Sequence, residues 1–177
     1  MSVGFRIQCP LGYLYQMSLQ TPVQNKGVPM TDANIKHLRT SLTYAGVLPF
    51  IACALCLVMN VRTVPILGPV EQILGAYGLI IATFLAGSHW GQHLALCGGW
   101  SIFLPVSSNI SALALWLVFL TMPSQIFFWT LVASFGLFLF IDGRLYDADI
   151  IDHDYFDLRR HVTAIVGTTL IVAGFYA

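Results

Sequence analysis

Residues Gln72–Gly91 read QILGAYGLIIATFLAGSHWG, twenty positions without an Asp, Glu, Lys or Arg. A helix of that length covers the roughly 30 Å hydrocarbon core of a bilayer. Open strands would leave backbone groups unpaired in lipid, and the stretch has no period-two alternation, so it reads as a spanning α-helix. Ala82, Ala86, Gly87 and Gly91, with Ala95 just beyond, place small residues four apart in overlapping sets. Gly87-x-x-x-Gly91 predicts close approach of a neighbouring backbone. His89 and His93 are also four apart, about 200° round the helix from the glycines at about 100° per residue. One face asks for a close neighbour, and the opposite face carries imidazoles that should avoid lipid. A helix with both demands belongs in the middle of a bundle.

Four further runs meet the same criterion: 42–60, 101–122, 124–141 and 161–177, again without Asp, Glu, Lys or Arg. The chain has 177 residues, 57% hydrophobic and 9% charged, where a soluble domain carries about 25% charged residues. The expected fold is therefore all-α: one integral membrane bundle of five transmembrane helices over residues 31–177. Pro49 and Pro105 should kink the first and third helices. Met122-Pro123-Ser124 is a tight turn that makes the third and fourth an antiparallel hairpin. Residues 1–30 hold no continuous apolar signal core and read as a flexible extension, or as sequence upstream of a true start at Met17 or Met30.

Lys and Arg set the direction. With the N-terminus inside, five crossings put Arg6, Lys26, Lys36, Arg39, Arg144, Arg159 and Arg160 inside and only Arg62 outside, a strong positive-inside bias. The C-terminus then lies outside, with Phe175 and Tyr176 at the interface. This points to a bacterial inner (plasma) membrane, or alternatively a mitochondrial inner membrane.

Several functions are disfavoured. Net charge is zero, so no nucleic-acid partner is implied. There is no Gly-rich phosphate loop and no Ser/His/Asp order. Cys53 and Cys56 form C-x-x-C inside an apolar run, which reads as two small residues on one helix face, and Cys9 and Cys97 suggest no disulfide framework.

The polar residues of the spans converge on the inner side. His89 and His93 close the second helix, Asp142 and Arg144 close the fourth, and Arg159, Arg160 and His161 open the fifth. Ionisable groups at membrane depth usually face protein or water, so His89, Trp90, His93, Asp142 and Arg159 form a candidate cytoplasmic-side cup. Three readings stay open. His89 and His93 with Asp142 could ligate a metal. Imidazole, guanidinium and Trp90 or Trp100 could bind a quinone or an anionic lipid headgroup. Or the group is structural, with Asp142 paired to Arg144 or Arg159. No cofactor is assigned. The six Asp between 142 and 157 lack the turn Gly and closing Glu of an EF-hand. They alternate with Ile150, Ile151, Tyr155, Phe156 and Leu158, which suits a short interfacial helix.

Tyr44-Ala45-Gly46-Val47-Leu48-Pro49-Phe50, Gly87-Ser88-His89-Trp90-Gly91, Trp100, Pro105 and Trp116, then Asp142, Leu158-Arg159 and Thr163 together resemble an uncharacterised family of small polytopic membrane proteins. That family includes mitochondrial transmembrane protein 69 and many proteobacterial proteins. The resemblance covers about residues 40–177. It implies the five-helix architecture and draws attention to His89, Trp90, Asp142 and Arg159, and it supplies no reaction. The leading expectation is a non-enzymatic accessory, assembly or scaffold component, with membrane-protein partners and the lipid bilayer as its surroundings. The alternatives are a quinone-, lipid- or metal-binding protein using the cup, and a small transporter.

Overall fold

The computed structural model describes residues 32–92 and 99–177. The expected N-terminal extension and His93, Ala95 and Cys97 lie outside the described residues. The chain forms α1 (Asp32–Ala45), α2 (Leu48–Val58), α3 (Val70–Gln92), α4 (Gly99–Thr121), α5 (Ser124–Asp147) and α6 (His153–Tyr176). Between α2 and α3, β1 (Thr63–Val64) pairs antiparallel with β2 (Gly68–Pro69). This is an all-α bundle. Among the described residues, four segments are long and apolar enough to cross a membrane: Lys36–Val58, Val70–Gln92, Gly99–Thr121 and Ser124–Asp147.

The first of these is one rod with a break. The chain departs from the α-helix at Gly46 and Val47, and Pro49 falls in the first turn of α2. There its missing N–H costs nothing, because first-turn donors have no intrahelical partner. So Pro49 opens a helix, where a mid-helix kink was expected. Tyr77 of α3 closes the break by donating its hydroxyl to the Gly46 carbonyl at 2.9 Å.

Helix α3 packs on α2, α4 and α5, so it occupies the centre. The face that makes this possible is not the expected one. A Cβ added to Gly87 or Gly91 would meet nothing within 4 Å. Among the described residues the close approach expected there is not made, because both glycines lie on an exposed face of α3. Gly75 and Gly78, about three turns nearer the start, do this work. A Cβ at Gly75 would lie 3.2 Å from the Phe119 ring, and one at Gly78 would lie 2.5 Å from Leu131 Cδ1. Gly75, Gly78, Ala82, Ala86 and His89 are all buried and follow helical spacing on one face.

The last two helices overrun the expected limits. Helix α5 continues past Ile141 to Asp147, and α6 begins at His153, two turns before His161. The Asp-rich connector is therefore not a separate interfacial helix. Only Ala148–Asp152 separates the helices, turned by Asp149 at φ 56°. Asp154 lies in the first turn of α6, where the helix dipole favours an acid. Because its opening turns carry Asp154, Asp157, Arg159 and Arg160, α6 falls outside the four most apolar segments.

Polar contacts mark the two ends of the bundle. At one end Lys36 of α1 pairs with Asp154 of α6. At the other, Arg62 donates to the Tyr176 carbonyl at 2.7 Å and to Glu71 Oε1 at 3.0 Å. Arg62 thereby places a cation at the C-terminal end of α6, where free carbonyls concentrate negative charge.

Candidate functional site

Three helices each deliver one polar side chain to the Lys36 end of the bundle. His89 sits a turn before the end of α3, Asp142 in the penultimate turn region of α5 and Arg159 in the second turn of α6. His89 Nε2 lies 2.8 Å from Asp142 Oδ1. Arg159 donates its Nε–H to Asp142 Oδ2 at 2.9 Å. Relative exposure is 1% for His89, 0% for Asp142 and 6% for Arg159, so water does not screen the group. An isolated carboxylate would be very costly here. The three are charge-balanced when His89 is neutral and carries its proton on Nε2, donated to the carboxylate.

Apolar groups seal the cluster. Phe138, one turn before Asp142, meets the His89 ring edge-on at 5.6 Å between centroids. Leu104, Ile141 and Leu145 form a small buried group, with Trp100, Ile150 and Ile151 packed against it. Ser108 of α4 donates to the Ala86 carbonyl at 2.6 Å, tying α4 to α3 just above His89.

The guanidinium is incompletely satisfied. Arg159 Nη2 is buried and has no partner among the described residues. The Nε–H and one Nη2 N–H lie side by side on one edge of the guanidinium, the edge a lone carboxylate takes with both oxygens. Here His89 already holds Oδ1.

Of the expected residues, the structure brings together His89, Asp142 and Arg159. It does not gather Trp90, whose side chain is 45% exposed on the outer face of α3. His93 lies outside the described residues, and Arg144 is exposed. Among the described residues the three form a buried knot, because continuing α5 and α6 as helices encloses Asp142 between them. Among the described residues no group of three His, Cys, Asp or Glu could hold a metal ion.

Tyr155 was not singled out for this site. It is one turn before Arg159 on the same face of α6, beside Arg159, Asp142 and the Ser88 hydroxyl. Burial pushes its phenol above the ordinary value, and nearby Arg159 opposes the rise. Arg39 of α1 stacks over its ring at 5.9 Å from the centroid. Helical spacing from Arg159 is the signal that would have found it, once α6 is known to start at His153. Just outside, Lys36 holds the exposed Asp154 carboxyl below its usual range.

The family described as "Protein of unknown function (DUF3429)" matches residues 35–175, nearly the whole described bundle and all three members of the knot. The chain belongs to the DUF3429 family. No curated protein and no solved structure matches it. The DUF3429 match makes the knot part of the family's domain and leaves its chemistry to be argued from the geometry.

Proposed function

We propose that this multi-pass membrane protein is a non-enzymatic accessory, assembly or scaffold component, and that the His89–Asp142–Arg159 knot is a structural clasp joining α3, α5 and α6. One observation carries the reading: Asp142 is 0% exposed and each of its oxygens is taken by a donor of the same chain. Both oxygens already serve contacts within the chain, and a carboxylate with no exposed surface offers no open face to a metal or substrate arriving from outside. Burying such a group is weak evidence for high stability, and its better-attested use is to fix which helices meet and in what register.

The setting we infer is the bacterial inner (plasma) membrane, or the mitochondrial inner membrane, with the N-terminus inside and the C-terminus outside. The Lys and Arg distribution supports this direction. The contact of Arg62 with the carbonyl of Tyr176 supports a path of five crossings, in which the first outer loop and the C-terminus share a side. The likeness of Gly87–Gly91 to the signature of the family that includes transmembrane protein 69 supports the same setting.

A second reading has its own observation. A buried, unpartnered donor such as Arg159 Nη2 is a group that a quinone carbonyl, a lipid oxygen or an ordered water would satisfy. Purification of the full chain in mild detergent followed by native mass spectrometry separates the two. The clasp reading expects no stoichiometric small molecule. A quinone, lipid or metal present at one per chain and lost in His89→Ala or Arg159→Gln would replace it with the second.

A further inference from the structure

Helix α4 is the outlying member of the bundle. Its inward face holds the buried Leu104, Ser108 and Leu115, packed mainly on α3. Its outward face contains Ile102, Val106, Asn109, Leu113, Trp116 and Leu120, all exposed. The spacing alternates four and three, the a/d repeat of a left-handed helix pair. Lipid alone could cover the five apolar members. Asn109 is different. The midpoint of Gly99–Thr121 is residue 110, so Asn109 sits at the centre of the span, as far from either headgroup layer as this helix allows.

Other lipid-facing polar groups are neutralised locally. Thr130 and Thr168 donate their hydroxyls to carbonyls four residues back, as membrane helices tolerate. Asn109 donates one amide N–H to the Pro105 carbonyl at 3.0 Å. Its second N–H and its Oδ1 have no partner among the described residues. Leaving them in hydrocarbon is unfavourable, and a short side chain at mid-span cannot reach the interface.

We propose that α4 is a homotypic interface, on which a second copy of this chain docks its own α4, with the two Asn109 carboxamides hydrogen-bonded across the two-fold axis. The occupant follows from depth and chemistry. Two copies inserted with the same topology present parallel α4 helices, so residue 109 meets residue 109 at the same level. A carboxamide has one donor edge and one acceptor edge, so it is complementary to itself under two-fold symmetry. Beside the seam, Ile102, Val106, Ile110 and Leu137 line an apolar groove of about 560 Å³ that can receive the partner's side chains.

The test uses the full chain, labelled separately with donor and acceptor dyes and reconstituted in phosphatidylcholine/phosphatidylglycerol vesicles at graded protein-to-lipid ratios. Energy transfer should follow a monomer–dimer isotherm. Asn109→Leu should move its midpoint about tenfold higher in protein fraction, with Asn109→Gln falling between, as expected for one interhelical amide pair. Against the background set by the four native cysteines, Leu113→Cys should add a copy-to-copy cross-link that the wild type lacks, while Ser108→Cys on the inward face should add none. A protein that stays monomeric at every ratio overturns the proposal. So does a dimer indifferent to Asn109→Leu, or a helix of another protein found on α4 with no self-association. Circular dichroism of Asn109→Leu and Asn109→Gln checks that a shift reflects association and not lost helix.

Discussion

Asp142 and Arg159, seventeen residues apart in sequence, meet as a buried ion pair at 2.9 Å between α5 and α6. Within the pair only the Nε–H of that guanidinium edge is engaged, because His89 occupies the other carboxylate oxygen at 2.8 Å. The pair therefore joins two helices, and the histidine ties them to the central α3.

Removing one ion leaves the other buried alone. Arg159→Leu and Asp142→Leu should each lower stability by about 3–5 kcal/mol. Denaturant or SDS unfolding followed by circular dichroism reads this directly, and losses under about 1 kcal/mol would contradict the burial described.

His89→Ala should cost less, about 1–3 kcal/mol. It frees Asp142 Oδ1, and Arg159 Nη2 lies on the edge able to take it as a side-on pair. The ordering of His89→Ala below Asp142→Leu in the same unfolding assay is the expected result. Equal losses would mean that Arg159 does not move to compensate.

The small-residue face of α3 gives a contrast between glycines. Gly78→Val must displace Leu131, whose Cδ1 would lie 2.5 Å from even a lone Cβ, and overpacking of this kind costs about 1–3 kcal/mol. Gly87→Val faces open space and should change stability by less than about 1 kcal/mol. Thermal unfolding of the two variants side by side checks it, and the reverse order would restore the expectation that Gly87-x-x-x-Gly91 is a contact within the chain.

Tyr155 predicts an alkaline response. Burial raises its phenol pKa above the ordinary value of about 10. The folded state therefore holds the proton more tightly than the unfolded chain. Its contribution is full below about pH 10 and is lost as pH rises from there through the higher folded value. Tyrosinate absorbance should show that Tyr155→Phe loses a late-titrating phenol present in the wild type. An unchanged titration would remove Tyr155 from the buried end of the site.

Much of the site was legible because ionisable residues are rare in and beside apolar runs: His89, Asp142 and Arg159 stood out for that reason, and the family resemblance marked them too. Their closure into a knot was not, because Asp142 and Arg159 look like helix ends flanking an acidic connector. Only the packing of α5 on α6 shows both helices running on through them. The glycines misled for a related reason. A small-x-x-x-small pattern marks a helix surface on which something could approach, and Gly75 and Gly78 were chosen over Gly87 and Gly91 by where Phe119, Phe127 and Leu131 fall on neighbouring helices. Asn109 escaped notice because the spans were delimited by the absence of Asp, Glu, Lys and Arg, a criterion blind to a neutral amide.

A double-mutant cycle on Asp142 and Arg159 tests the clasp most directly. The account predicts that Asp142→Leu/Arg159→Leu is more stable than either single variant, with a coupling of about 2 kcal/mol or more, since removing both ions also removes the uncompensated buried charge. Additive losses, with no coupling between the two positions, would contradict it.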